Sequence, residues 1–209
     1  LSLIKQSGNV LILPSSPADG DSLGSGVALH LALKKLGKES TVVCAEPVPE
    51  VLEFLPHTKV IKNEFYFARD LVITLSARDL EIENITHDVS PDKINIIVTP
   101  LKGKIDLENI RASYGKSKYD LVIAVDAGDV SQFEGIYENN TELFNAVPVI
   151  NIDHHISNTE FGKINLVDVM ASSASSVVML MIKEMGENLI DADIATLLLA
   201  GLITDTSSF

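Results

Sequence analysis

Four short motifs carry the chemistry of this sequence: Asp19-Gly20-Asp21, Asp126, Asp153-His154-His155 and Asp205. Each falls directly after an apolar run or at a junction between elements. Carboxylates brought together without partners repel one another and raise each other's pKa, so a gathering of Asp19, Asp21, Asp126, His154 and Asp205 calls for a cation. Oxygen donors with one or two imidazoles suit Mn²⁺ or Mg²⁺ better than zinc, which usually takes more nitrogen or sulfur. Two such ions roughly 3.5 to 4 Å apart are a template for in-line displacement at phosphorus. The glycine between Asp19 and Asp21 lets two carboxylates face neighbouring sites. Gly24-Ser25 reads as the opening of a helix, whose first N–H groups suit phosphate oxygens, and Ser25 is a candidate phosphate contact.

Taken singly, each motif has a plainer explanation. Asp-Gly-Asp alone is most often a turn with solvated acids, and Asp126 or Asp205 is as readily a turn cap. His30, His57 and His87 are assigned to structural roles. Asp153-His154-His155 resists that explanation, because two adjacent histidines behind a strand-end acid are uncommon. Four motifs in a consistent context carry a weight that no single one does.

The elements that must position these residues emerge from patterning. Residues 9–13 (NVLIL) form a buried-strand run, 14–22 a Pro/Ser/Gly/Asp loop, 24–39 a helical spacing of apolar residues, and 41–45 the next strand. Lys34, Lys35 and Lys38 stand near the helix C-terminus, where the dipole favours cations. Strand, loop, helix, strand is a βαβ unit with parallel strands. Residues 49–55 read as a short helix stopped by Pro56. From 65 to 100 the pattern changes: 71–75, 80–85 and 94–98 are β-like runs with no helix between them, and 102–104 is a turn. That predicts an antiparallel hairpin or meander insertion. Beyond it, 121–125 is a strand ending on Asp126, 132–144 a helix, and 147–152 a strand ending on Asp153-His154-His155. Residues 172–185 and 191–202 are apolar helices, the second running into Thr204-Asp205-Thr206. The expected fold class is α/β, a mostly parallel doubly wound sheet with flanking helices. In such a sheet the C-terminal strand edges lie along one side and draw distant residues together.

Composition narrows the function classes. The 209 residues are 46% apolar and 22% charged, with a mean hydropathy of +0.24, enough to bury a core. The longest apolar stretch, 195–203, is broken by Thr196 and Gly201 and falls short of the roughly 18 to 20 residues that span a bilayer, so no membrane partner is expected. One cysteine, Cys44, excludes an internal disulfide framework and a cysteine-rich zinc site. With no secretory pattern at the start, a reducing, cytoplasmic setting is expected. Sixteen basic against twenty-nine acidic residues give a net charge of −13. Such a surface repels nucleic-acid backbones, and no basic stripe offsets it. A role in handling phosphate therefore requires a locally inverted field, which carboxylate-bound divalent metal supplies.

In order and context the motifs resemble the DHH phosphoesterase superfamily, which includes the single-strand exonuclease RecJ, manganese inorganic pyrophosphatases, and nano-RNA and 3′-phosphoadenosine 5′-phosphate (pAp) phosphatases. Asp19 to Ser25 (DGDSLGS) resembles the first motif, Val125 to Asp129 (VDAGD) the second, Asp153-His154-His155 the third and Thr204-Asp205-Thr206 the fourth. Residues 158–168 (NTEFGKINLVD), with Ala171-Ser172-Ser173 after them, are similar to the segment beyond the third motif in the nano-RNA branch. The resemblance spans essentially the whole chain. It implies two Mn²⁺ or Mg²⁺ ions, with Asp19 at one, Asp21 and His154 at the other, Asp126 bridging them and Asp205 closing the site. His155 would contact the scissile phosphate and Asp153 would orient the histidines. His155, Asp126 and Asp153 thereby take the catalytic roles around a metal-activated water. The implied activity is hydrolysis of phosphoester bonds in short oligonucleotides or pAp-like nucleotides, in the manner of an exonuclease or oligoribonuclease.

Two departures qualify that implication. The family usually carries a histidine four residues before the first aspartate and a proline directly before it; here these positions are Ser15 and Ala18. Losing the imidazole predicts weaker binding at the first ion, or a shift toward Mg²⁺. Family members also carry a smaller C-terminal substrate-binding domain. Residues 1–209 are expected to be the catalytic domain alone, cut from a longer protein and poorly active by itself. The insertion and the length favour the nano-RNA type over the pyrophosphatases. A cyclic-dinucleotide phosphodiesterase shares the catalytic half, and a degenerate member that binds without turnover is the alternative that Ser15 favours. A structural module built on the apolar segments 177–182 and 195–203 is the third class, though burial against the sheet explains those segments more simply. A homodimer is compatible with all of these.

Overall fold

The computed structural model describes residues 1–65 and 69–208. Helix α1 (Ser2–Gln6) leads into strand β1 (Asn9–Pro14), helix α2 (Gly20–Lys35), β2 (Glu39–Val43) and the short β3 (Ile61–Lys62). Strands β4 (Leu71–Thr74), β5 (Glu81–Ser90), β6 (Lys93–Lys102) and β7 (Arg111–Tyr114) come next. The chain then continues through β8 (Leu121–Val125), α3 (Gly135–Glu138), α4 (Thr141–Ala146), β9 (Val149–Asp153), β10 (Ile164–Val167), α5 (Ala174–Met185) and α6 (Ala192–Asp205).

Six strands form one sheet in the order β10-β9-β8-β1-β2-β3, and every pairing in it is parallel. The chain winds outward from β1 to β3, returns to the centre at β8, and winds outward the other way to β10. Between β1 and β8 the winding reverses, which makes their carboxyl ends the place where such sheets bind ligands. Side chains alternate across the sheet. Val10, Ile12, Ile123 and Val125 pack with α2, α5 and α6, whereas Leu11, Leu13, Val122 and Ala124 face Phe133, Ile136 and Leu143. Both faces are covered, so the central strands need apolar residues at every position and read as unbroken runs.

Helix α2 begins at Gly20, four residues before the expected start. Asp19 is its N-cap: the carboxylate accepts from the N–H groups of Asp21 and Ser22, and the Ser22 hydroxyl accepts from the Asp19 N–H in return. This capping box pulls Asp21 and Ser25 into the helix instead of leaving Asp21 in a loop. The helix stops at Lys35, ahead of Gly37 at φ 72°, so Glu39 opens β2 rather than closing the helix. The single helix expected over 132–144 is a 3₁₀ turn (Val130–Phe133) followed by α3 and α4. It breaks at Glu134, φ 46°, and again at Asn140, whose side-chain amide donates to Ile136 O. The short helix expected over 49–55 is one 3₁₀ turn, Glu50–Leu52.

The chain divides into two units, Leu1–Ala68 with Ser117–Phe209, and Arg69–Lys116. The second is the antiparallel insertion, reaching further than the expected 65–100. Its β5 and β6 form a long hairpin, and its β4 pairs across the gap with β7. The outer pair is hidden in the sequence because the partner of β4 comes after the whole hairpin instead of directly after β4. Part of the expected start, residues 66–68, lies outside the described residues.

Candidate metal centre

The acids converge at the carboxyl ends of β1 and β8. Asp21 sits in the first turn of α2 with no solvent exposure, and its two oxygens accept from the N–H groups of Ala174 at 2.6 Å and Ser175 at 2.8 Å. Those groups open α5, so the positive end of that helix faces the carboxylate. Asp205 ends α6, which packs along α2 so tightly that a Cβ on Gly24 would lie 2.5 Å from Leu197 O. A Cβ on Gly201 would meet Ser175 Oγ and lie 2.5 Å from Asp21 Oδ1. Glycine at these positions brings the C-terminus of α6 against the N-terminus of α2, and with it Asp205 to Asp21.

Asp126 stands just after β8 and Asp153 ends β9. Asp126 is 5% exposed, and its Oδ1 stands 3.7 Å from both His154 Nε2 and His155 Nδ1. His154 Nε2 also lies 2.9 Å from Asp205 Oδ2. None of these three approaches has hydrogen-bond geometry, and the buried Asp126 Oδ1 and His154 Nε2 have no hydrogen-bond partner among the described residues. Buried polar atoms in this state are costly unless something else meets them. Burial, and after it the charges of Asp21, Asp19, Asp153 and Asp205, pushes the Asp126 carboxyl up to about 9. Burial and Asp21 likewise push Asp205 up to about 6, against the opposing pull of His154.

Donor atoms of Asp126, Asp153, His154 and His155 lie within 4.8 Å of one another, as do those of Asp21, His154 and Asp205; His154 belongs to both groups. Asp19 joins neither group; one of its oxygens caps α2, and its charge is felt at Asp126 and Asp205. Buried carboxylate and imidazole atoms without hydrogen-bond partners, within 4.8 Å of one another, suit a hard divalent cation, so these residues can hold one.

Asp153 is wholly buried and serves as an anchor. Its Oδ1 accepts from the His154 N–H and from His155 Nδ1, both at 2.8 Å, while its Oδ2 accepts from Asn158 at 2.6 Å. It therefore holds the ring of His155 but only the backbone of His154. The His155 side chain keeps 48% of its surface. Ser25 does not join the site. It is fully buried, and its hydroxyl donates to Asp21 O within its own helix. Ser15 is beside Asp126, its Oγ 3.5 Å from Oδ2.

Two residues outside the motifs brace this edge. Glu46 accepts from the Ala18 N–H at 2.8 Å and steadies the loop ahead of Asp19. Asn158 joins Asp153 to the backbone after Asp126. Neither stands out by type; only the run 158–168 after the histidines marks Asn158 as part of a pattern.

A doubly wound parallel sheet with acids and a histidine pair at its switch point defines a class of α/β proteins with a metal-capable edge. The chain belongs to the DHH family: residues 9–202 match the description "DHH family, N-terminal domain". It is 28% identical over 202 residues to the bifunctional oligoribonuclease and PAP phosphatase NrnA of Thermus thermophilus, a match covering 97% of this chain and 44% of that protein. Its fold is similar to the crystal structure of an exopolyphosphatase-related protein from Bacteroides fragilis, with a TM-score of 0.68 at 18% identity, over 100% of this chain and 49% of that one. The chain thus spans less than half the length of these relatives. No helix among the described residues is long and apolar enough to cross a membrane.

Proposed function

We propose that this chain is the metal-holding half of a phosphoesterase that hydrolyses phosphoester bonds in short oligonucleotides or pAp-like nucleotides. The observation that carries the proposal is the pair of buried atoms without a hydrogen-bond partner, Asp126 Oδ1 and His154 Nε2, among acids that repel one another. Asp21, Asp126, His154 and Asp205 would hold a Mn²⁺ or Mg²⁺ ion, and Asp126 with Asp19 a second. Bound there, the cations would neutralise the carboxylates, draw in an anionic phosphate and make a water more acidic.

The chain's own residues do the rest. Asp21 is clamped by α5, which fixes its oxygens before any ligand arrives. With Nδ1 of His155 committed to Asp153, Nε2 is the ring atom left to contact a phosphate oxygen. Basic groups for the substrate belong to a C-terminal domain, in keeping with the net charge of −13 on this half. The similarity to a relative described as an oligoribonuclease and PAP phosphatase supports the substrate class.

The test is Mn²⁺-dependent release from a model phosphodiester and from pAp by the full-length protein. Release lost in Asp126→Asn and His154→Ala is expected. Tight Mn²⁺ and nucleotide binding without turnover would favour a degenerate member, the alternative to which Ser15 points.

A further inference from the structure

Asn158 lies in the loop between β9 and β10, outside the four motifs, yet all of its hydrogen-bonding capacity is used at the site. Its amide nitrogen donates to Asp153 Oδ2 at 2.6 Å and to the Ala127 carbonyl at 3.0 Å. Its oxygen accepts from Asn151 Nδ2 at 3.1 Å and from the Glu160 N–H at 2.7 Å. Two donors and two acceptors fill the inventory of a primary amide and settle which way it points. Asn151 is itself fully buried on β9, so the far end of the network is anchored in the sheet.

The two bonds donated by the amide nitrogen tie together the two segments that the site must hold in register. Ala127 comes directly after Asp126, and Asp153 carries His155 on its other oxygen. The Gly128 carbonyl adds a second tie by accepting from the Thr159 N–H at 2.8 Å. Asp153 has no solvent exposure, and three donors meet its oxygens: the His154 N–H, His155 Nδ1 and Asn158 Nδ2. Of the three, Asn158 alone also makes a hydrogen bond to the backbone just after Asp126.

We propose that Asn158 is a positioning residue that locks the Asp126 loop to Asp153 and, through Asp153, sets the ring orientation and tautomer of His155. The assignment deepens the metal-centre reading of the same residues and rests on it for its consequence, though not for its geometry. Partners of this kind, one bond behind the residues that meet a metal, typically change metal affinity or activity about 10- to 100-fold when replaced.

Asn158→Asp is the incisive variant, because it keeps the shape and the oxygen that accepts from Asn151 and Glu160 while exchanging the donating NH₂ for a carboxylate oxygen facing Asp153. In the full-length protein labelled with ¹⁵N-histidine and stripped of metal, the His155 ring, assigned by its absence from the spectrum of His155→Ala, is expected to be held as the Nδ1–H tautomer in wild type. In the folded variant that signature gives way to mixed tautomers, and Mn²⁺ affinity by calorimetry falls at least tenfold. A folded Asn158→Asp protein with the wild-type ring signature and unchanged Mn²⁺ affinity overturns the proposal. If Asn158→Asp does not fold, Asn158→Ser replaces it: the hydroxyl can still accept from the Glu160 N–H but cannot reach Asp153. The same two readouts then decide. Should wild type bind no Mn²⁺ at all, the metal-centre reading fails, and the tautomer measurement still judges the role of Asn158.

Discussion

Asp126 carries its backbone at φ 60°, a region that aspartate tolerates better than most residues, and turns its carboxyl into a buried group of acids. Its folded-state pKa, about 9 against the usual 3.8, means that the folded protein keeps a proton that the unfolded chain releases. Stability from this group is therefore full below about pH 4 and is lost as pH rises toward 9; Asp205, raised to about 6, acts in the same direction over the lower part of that window. In EDTA the melting temperature is expected to fall between pH 6 and 9, and Mn²⁺ should flatten the slope by taking the proton's place. A melting temperature that is level or rises over that range without metal contradicts this account. Ser15 supports a second expectation. Its hydroxyl sits where an imidazole could meet Asp126, so Ser15→His should tighten Mn²⁺ binding relative to Mg²⁺ in a calorimetric titration, and identical affinities would dismiss the idea. At this scale the acids and histidines are visible in the sequence, because an acid behind an apolar strand is a local signal. The commitment of Ser25 to its own helix and of Asn158 to Asp153 depends on distances that no local pattern encodes.

Elements position these residues through helix packing as much as through strand ends. The central strands are legible because a sheet covered on both faces demands continuous apolar runs, and 121–125 reads as β8 without change. Strand β10 is not, since four half-exposed residues at an edge carry little pattern. The start of α2 is obscured because the residue type of Asp19 suits a ligand as well as a cap. Least visible is the tight meeting of α2 with α6. Gly201→Ala would drive a methyl group into Ser175 Oγ and Asp21 Oδ1, and Gly24→Ala into the Leu197 carbonyl. Each is expected to cost about 1 to 3 kcal/mol in chemical denaturation, as overpacking usually does. The two should differ in kind. Gly201→Ala strikes a side chain of the site and should weaken Mn²⁺ binding more than its loss of stability explains. Gly24→Ala, one turn along α2, should lower stability and leave affinity nearer to wild type. Equal effects of both on affinity would mean that Asp21 is not held where the packing puts it.

Across the whole molecule, charge and burial separate the two units. Arg69–Lys116 holds seven basic and eight acidic residues, so the other unit carries −12 of the total −13. Every proposed ligand lies in that other unit, which also contains both hydrophobic clusters. The insertion has no buried residue among those described, and Ile85, Val89 and Ile94 are each more than 60% exposed. Two-stranded sheets without a core add little stability of their own. The insertion closes on itself near its ends, where the Gly115 N–H donates to Asp70 O at 2.7 Å. Replacing Arg69–Lys116 with a short Gly-Ser linker should therefore leave the parallel sheet folded, with a melting temperature close to that of the parent and Mn²⁺ affinity unchanged. Solubility should rise as the exposed isoleucines and valines are removed. Loss of Mn²⁺ binding in a folded deletion variant would show that the insertion is part of the centre, and the division of labour between the units would have to be redrawn.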